Sequence, residues 1–306
     1  MLAVLFPGQG SQRVGMCSDF YSKFDSVKKI FKEVDETLGF PLSSIILNGP
    51  EEKLKLTENT QPAILTVGVS IFNVLNEQYN LNLNQSEFFA GHSLGEYTAL
   101  VCAGSLKIDR AVYLLHERGK AMQSAVPAGQ GAMMAIIGMT INEIEKEINL
   151  LPKEKICEIA NDNSNTQVVV SGKKENIENL NEKLKIKKKK CIILPVSAPF
   201  HCSLMKKAAE SMKDKIEKTN FTQPKPNIIS NVTAQEEGDI NKIKPLLVDQ
   251  ITSKVRWRES VNYMIKEGVT DFFEIGPSKV LSGLVKKIND KVKISYVNSI
   301  KDVKND

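Results

Sequence analysis

The stretch Glu87-Phe88-Phe89-Ala90-Gly91-His92-Ser93-Leu94-Gly95-Glu96-Tyr97 runs from a short apolar segment into Gly-x-Ser-x-Gly. A helical pattern then continues through Thr98, Ala99, Leu100, Val101 and Cys102 to Gly104. Strand, sharp turn and helix in that order are the setting of a nucleophile elbow. Gly91 and Gly95 lack a Cβ, so strand and helix can approach closely around a strained central residue. Such a turn would leave the Ser93 hydroxyl exposed, with the N–H groups and positive dipole end of the helix available to a developing oxyanion. Gly-x-Ser-x-Gly is short enough to arise by accident, but the strand and helix that flank it favour a nucleophile.

Upstream, the apolar Leu2–Phe6 reads as a buried first strand that opens into Pro7-Gly8-Gln9-Gly10-Ser11-Gln12. This is no phosphate loop, because the Gly-Lys-Ser/Thr ending is missing. Helical periodicity covers residues 25–38 and 61–79, and 109–122 downstream of the elbow. From Pro127 the texture changes. Strands are expected at 132–139, 156–160, 167–171 and 191–196, with helices from a Thr140–Glu143 capping box to Leu151 and over 176–184. The order β-α-β-β-α-β within about seventy residues is the ferredoxin-like unit. It interrupts a larger α/β region, so residues 127–197 are expected to form an inserted subdomain and residues 1–126 and 198–306 the main domain. Helices at 204–218, 243–251, 260–266 and 279–288, and strands at 227–230, 270–275 and 293–297, complete the pattern; 236–239 reads as a turn and the tail from Lys301 as loose.

A nucleophilic serine needs a base. The chain has three histidines: His92 beside the serine, His116 on a helix next to Glu117 and Arg118, and His201. His201 follows Pro199-Phe200 in the loop where the chain re-enters the main domain, placed to reach across the strand ends. It is the expected base. The order serine then histidine agrees with α/β-hydrolases, yet no acid between them stands out: Asp109 begins a helix and Asp162 lies in the insert. A neutral acceptor or a backbone carbonyl could orient the imidazole instead. On its own, Arg118 reads as a solvated helix charge; turned inward, its planar fork would suit a substrate carboxylate.

The 306 residues, 42% hydrophobic and 25% charged, suit a globular protein with a substantial core. The net charge of +5 fits an acidic partner or substrate better than sequence-specific DNA binding. Lys183, Lys185 and Lys187–Lys190 form a basic run, which is either a solvated face or a docking surface for an acidic protein or for phosphates; nucleic acid ranks third, because aromatics do not interleave with the lysines. Five scattered cysteines, none in Cys-x-x-Cys, point to free thiols in a reducing compartment. No segment reads as a signal peptide or a membrane span.

Seven segments occur in order: Phe6-Pro7-Gly8-Gln9-Gly10-Ser11-Gln12, Thr60-Gln61-Pro62-Ala63, Gly91–Tyr97, Arg118-Gly119-Lys120-Ala121-Met122, Asn161-Asp162-Asn163-Ser164, Pro199-Phe200-His201 and Glu274-Ile275-Gly276-Pro277. Together they resemble the malonyl-CoA:acyl carrier protein transacylases of type II fatty acid synthesis, from Phe6 to about Leu284. The resemblance implies an α/β-hydrolase-like core, Ser93 as nucleophile, His201 as base, and Gln250 orienting His201 through its main-chain carbonyl. It implies an oxyanion hole from the N–H groups of Gln9 and Leu94, and Arg118 as the ligand of the malonyl carboxylate. Asn161 and Asn163 would lie near the cleft, His92 would shape the nucleophile pocket, and Phe200 resembles the residue that crowds a 2-methyl group in malonyl-selective members. The substrates would be malonyl-CoA and holo acyl carrier protein, in the cytoplasm, with a monomer, no cofactor and no metal expected. Rival readings are a hydrolase on the same elbow, a carrier-protein or nucleic-acid binding module built on the lysine run, and an acyltransferase for another acyl group. A patatin-like lipase would need Asp-Gly, which the chain does not contain.

Overall fold

The computed structural model describes residues 1–152, 156–196 and 198–303. The chain runs β1 (Leu2–Phe6), α1 (Ser18–Lys23), α2 (Asp25–Leu38), α3 (Leu42–Asn48), α4 (Glu51–Lys55), α5 (Thr57–Tyr79), β2 (Phe88–Gly91), α6 (Gly95–Cys102) and α7 (Ile108–Ser124). It continues through β3 (Gly131–Ile137), α8 (Ile141–Asn149), β4 (Cys157–Ser164), β5 (Gln167–Lys173), α9 (Lys174–Ile186) and β6 (Lys190–Ile193). The last part is α10 (Lys206–Lys218), β7 (Ile228–Ile229), β8 (Glu236–Glu237), α11 (Ile240–Asp249), α12 (Trp257–Lys266), β9 (Asp271–Ile275), α13 (Val280–Ile288) and β10 (Lys293–Val297).

The larger sheet has the order β10-β9-β1-β2-β7-β8, parallel except for the β7–β8 pair. Central strands covered by helices on both faces read as continuous apolar runs, which is why Leu2–Phe6 carries no alternation. Ala3 and Leu5 pack on one side with Trp257 and Val285, Val4 and Phe6 on the other with Phe72 and Phe89. The elbow rises from the end of β2, at the carboxyl edge of the parallel strands, where α/β sheets bind their ligands.

The smaller sheet has the order β4-β5-β3-β6 and is antiparallel throughout. Side chains alternate along β3: Met134 and Ile136 pack under α8 and α9, while Met133 and Ala135 join the core of the larger unit. The Thr140–Glu143 capping box forms as expected.

Several boundaries differ from expectation. β4 does not stop at Ala160 but continues to Ser164, because bulges keep it paired with β5 and Asn161 bridges to Val255. The small-sheet edge strand ends at Ile193, short of Val196. The segment read as a turn at 236–239 contains β8, which pairs with β7. Helices α1, α3 and α4 were not anticipated; each is short, so periodicity has too few residues to declare itself. The expected boundary residue 197 and the tail residues 304–306 lie outside the described residues. Among the described residues, no helix is long and apolar enough to cross a membrane.

Candidate active site

Ser93 stands between β2 and α6 with φ of 54°, in the left-handed region that is strained for a side-chain-bearing residue. The two glycines make the turn possible. A Cβ on Gly91 would fall 1.9 Å from the Gly95 carbonyl carbon, and one on Gly95 would fall 2.2 Å from the Phe6 oxygen. The Ser93 N–H donates to Asn231 Oδ1 at 2.7 Å, and Asn231 Nδ2 donates to the Gly91 oxygen at 2.7 Å. One asparagine thus ties both sides of the turn.

His201 comes from the loop after the small sheet, itself at φ 59°. Its Nε2 lies 2.8 Å from Ser93 Oγ. Its Nδ1 lies 2.9 Å from the main-chain oxygen of Gln250. A carbonyl can only accept, so Nδ1 carries the proton and Nε2 presents its lone pair to the hydroxyl. Burial, and then the Arg118 charge, push the His201 pKa down to about 3, which keeps the ring neutral. The imidazole therefore meets a carbonyl where a triad would place an acid. Asp162, the acidic residue noted in the insert, pairs instead with Arg258, and Asp109 lies beside Arg110.

Arg118 corrects the solvated-charge reading. It is 1% exposed, because α7 lies against α5 and turns this face inward. Nη1 donates to Gln61 Oε1 at 2.7 Å, and Nη2 to Gln250 Oε1 at 2.9 Å and to Ser93 Oγ at 3.3 Å. Its Nε bonds no described residue. Burial lowers the arginine pKa, opposed by the neighbouring Tyr97 and Glu96.

The main-chain N–H groups of Gln9 and Leu94 bond nothing among the described residues. Gln9, His92, Ser93, Arg118, Asn161, Phe200 and His201 line one cleft of about 250 Å³ between the two sheets. His92 Nε2 lies 2.8 Å from Asn163 Oδ1, and its ring packs 5.6 Å from that of Trp257. All ten residues singled out in the sequence fall in or against this cleft. A larger groove of about 910 Å³, beside Lys173 and Lys206, holds none of them. The lysine run lies apart on the surface, Lys187 paired with Glu147 and Lys189 half-buried.

Sequence reasoning gave no role to Glu96, Asn231 or Gln61. Glu96 is 1% exposed, and burial raises its pKa to about 7 against the bonds from Asn231 and Gln250 and the charge of Arg118. It lies within the opening stretch, but an acidic residue in a first helical turn ordinarily reads as a surface complement to the dipole. Gln61 lies in the Thr60-Gln61-Pro62-Ala63 segment, which carries the resemblance without saying what the glutamine does, and Asn231 carries no local pattern that marks it.

The family profile of the acyl transferase domain matches residues 4–305. The chain is 44% identical to the malonyl CoA-acyl carrier protein transacylase of Bacillus subtilis, over 97% of this chain and 93% of that protein. It is 41% identical to the Escherichia coli protein of the same name, over 97% and 95%. Among solved structures it is similar to the acyl-carrier-protein-S-malonyltransferase of Bartonella henselae, at TM-score 0.95 and 42% identity over 98% of this chain and 96% of that one. It is also similar to a malonyl-transacylase in complex with its type II PKS acyl-carrier protein, at TM-score 0.94 and 39% identity over 98% and 97%. The chain belongs to the acyl transferase domain family and, within it, to the malonyl CoA-acyl carrier protein transacylases.

Proposed function

We propose that this chain moves a malonyl group from malonyl-CoA to the phosphopantetheine thiol of holo acyl carrier protein, for fatty acid biosynthesis, through a malonyl ester on Ser93. The observation that carries the reading is Ser93 Oγ at 2.8 Å from His201 Nε2 and 3.3 Å from Arg118 Nη2. The relatives named as malonyl transacylases support the substrate, and the neighbour solved with its carrier protein supports the acceptor.

His201 Nε2 takes the hydroxyl proton as Oγ attacks the thioester carbon. The tetrahedral oxyanion rests on the free N–H groups of Gln9 and Leu94, donors whose individual removal costs about 2.7–4 kcal/mol in comparable sites. Collapse breaks the C–S bond, and the CoA sulfur leaves with the proton from His201. The pantetheine thiol then gives its proton to the same nitrogen, its sulfur attacks the ester carbon, and Ser93 regains its hydrogen. Gln250 holds the imidazole through its main-chain carbonyl. Arg118 receives the distal carboxylate, so an acetyl group, which leaves that cation unpaired, is a poor substrate. His92, Asn161 and Asn163 shape the cleft. The Phe200 ring crowds a 2-methyl group, a preference of about 1–3 kcal/mol.

The architecture fits an α/β-hydrolase-like core of residues 1–126 and 198–306 with a ferredoxin-like insert at 127–197, the strand order β4-β5-β3-β6 supporting the second half of that description. The chemistry requires no cofactor, since the CoA thioester is itself the substrate; a cytoplasmic monomer completes the reading. The exposed lysines around Lys187–Lys190 offer a field for an acidic carrier.

Intact mass measured after incubation with malonyl-CoA tests the reading. One malonyl group is expected on the wild type and none on Ser93→Ala; a labelled alanine variant would remove Ser93 from its role.

A further inference from the structure

Glu96 sits in the first turn of α6, yet its carboxyl is buried. Burying such a group is unfavourable unless its oxygens are bonded. One oxygen, Oε2, accepts twice, from the Asn231 N–H at 3.0 Å and from Gln250 Nε2 at 2.7 Å. The second bond fixes which way the Gln250 amide faces. The same Nε2 donates to the Ser93 main-chain oxygen at 3.1 Å, while Oε1 accepts from Arg118 Nη2 at 2.9 Å. A guanidinium only donates. Half a turn of the amide would set NH₂ against the guanidinium, and oxygen against the oxygens of Glu96 and Ser93.

We propose that Glu96 is a positioning residue for acyl-group selection: it holds the Gln250 amide with Oε1 toward Arg118, and so fixes the guanidinium where a substrate carboxylate meets it. Glu96 itself touches no substrate. The same Oε2 anchors Asn231, whose side chain ties the elbow, so the nucleophile and the selecting arginine share one support. The proposal rests on the reading that Arg118 receives the malonyl carboxylate.

Two variants separate the acceptor from the bulk. Glu96→Gln keeps an oxygen for both donors; Glu96→Met keeps the volume without it. kcat/KM is measured with malonyl-CoA and with acetyl-CoA. Glu96→Met is expected to lower the malonyl-to-acetyl ratio by about ten- to a hundredfold, the scale of one hydrogen bond to a charged group, chiefly through the KM for malonyl-CoA. Glu96→Gln keeps the ratio within about threefold of wild type. Equal losses on both esters in the methionine variant, or a ratio lost as fully in the glutamine variant, overturn the proposal. A wild type without malonyl preference overturns the carboxylate reading as well, whereas a wild-type preference that survives Glu96→Met overturns only the role of Glu96. If Glu96→Met does not fold, the Gln250 side-chain amide is followed by ¹⁵N NMR in the wild type and in Glu96→Gln, assigned by its loss in Gln250→Met. Exchanging a carboxylate for an amide acceptor is expected to shift that signal; an unmoved signal overturns the contact on which the proposal stands.

Discussion

Two guanidiniums flank the cleft and are satisfied in opposite ways. Arg258 forks onto Asp162, its Nε 3.0 and 3.1 Å from the two carboxylate oxygens and its Nη2 2.8 Å from Oδ2. Arg118 meets only neutral acceptors, and Glu96 reaches it only through the Gln250 amide. A planar fork on a carboxylate has its charge neutralised and its geometry used, which makes it a joint. The Arg258 pair joins α12 to β4, and Asp162 lies between Asn161 and Asn163, so this joint also sets two cleft residues. A buried guanidinium held by amides has no carboxylate in contact with it, which is the state the proposed malonyl site requires.

That contrast is open to a double dissociation. Asp162→Asn strands the charge of Arg258. Loss of one partner of a buried pair costs about 3–5 kcal/mol, and the lower end applies because the Arg258 side chain is 25% exposed. Denaturant unfolding should register that loss, while the malonyl-to-acetyl ratio of the folded protein stays put. A variant as stable as wild type would mean that the pair is no joint. Arg118→Met should do the reverse. Malonyl transfer falls by about a hundredfold, as expected for losing a charge-assisted pair, while acetyl transfer is retained or rises. Stability holds or increases, since an unneutralised buried charge is gone. Destabilisation with equal loss on both esters would place Arg118 with Arg258 as a structural cation.

The same contrast explains what could be read from the chain alone. The elbow is legible because its constraints are local: two glycines four residues apart, with a strand before and a helix after. His201 was reachable because only three histidines exist and one follows the return loop. Arg118 was not legible from its own helix, since the pattern of Leu114, Leu115 and Met122 does not say whether the next helix covers the arginine; the packing of α7 on α5 decides it. Glu96 and Asn231 were invisible for a stronger reason. Their partners are over 130 residues away, and nothing in a sequence announces a bond between Asn231 N–H and a carboxyl on α6. Strand β4 was cut short because its last residues are polar, and polar residues at a strand end read as loop. They face the cleft and the Arg258 joint instead.

The smallest effect is the most specific to charge. The Arg118 cation is the second cause, after burial, of the depressed His201 pKa. A base is useful only when unprotonated, so with a pKa of about 3 the acid limb of transfer lies well below the ordinary histidine value. Removing the cation in Arg118→Met moves that limb upward, toward but not to the ordinary value, because burial remains. Acetyl-CoA is the donor to use, since its acyl group carries no titrating carboxyl, and its slow transfer is compared between the two proteins. Stability follows the same ring with a definite sign. Below the ordinary histidine pKa the unfolded chain binds a proton that the native ring refuses, so this contribution is lost as pH falls through that value toward 3. An acid limb that coincides in the two proteins would show that the Arg118 charge does not reach the imidazole, and would remove the electrostatic half of the distinction between the two arginines.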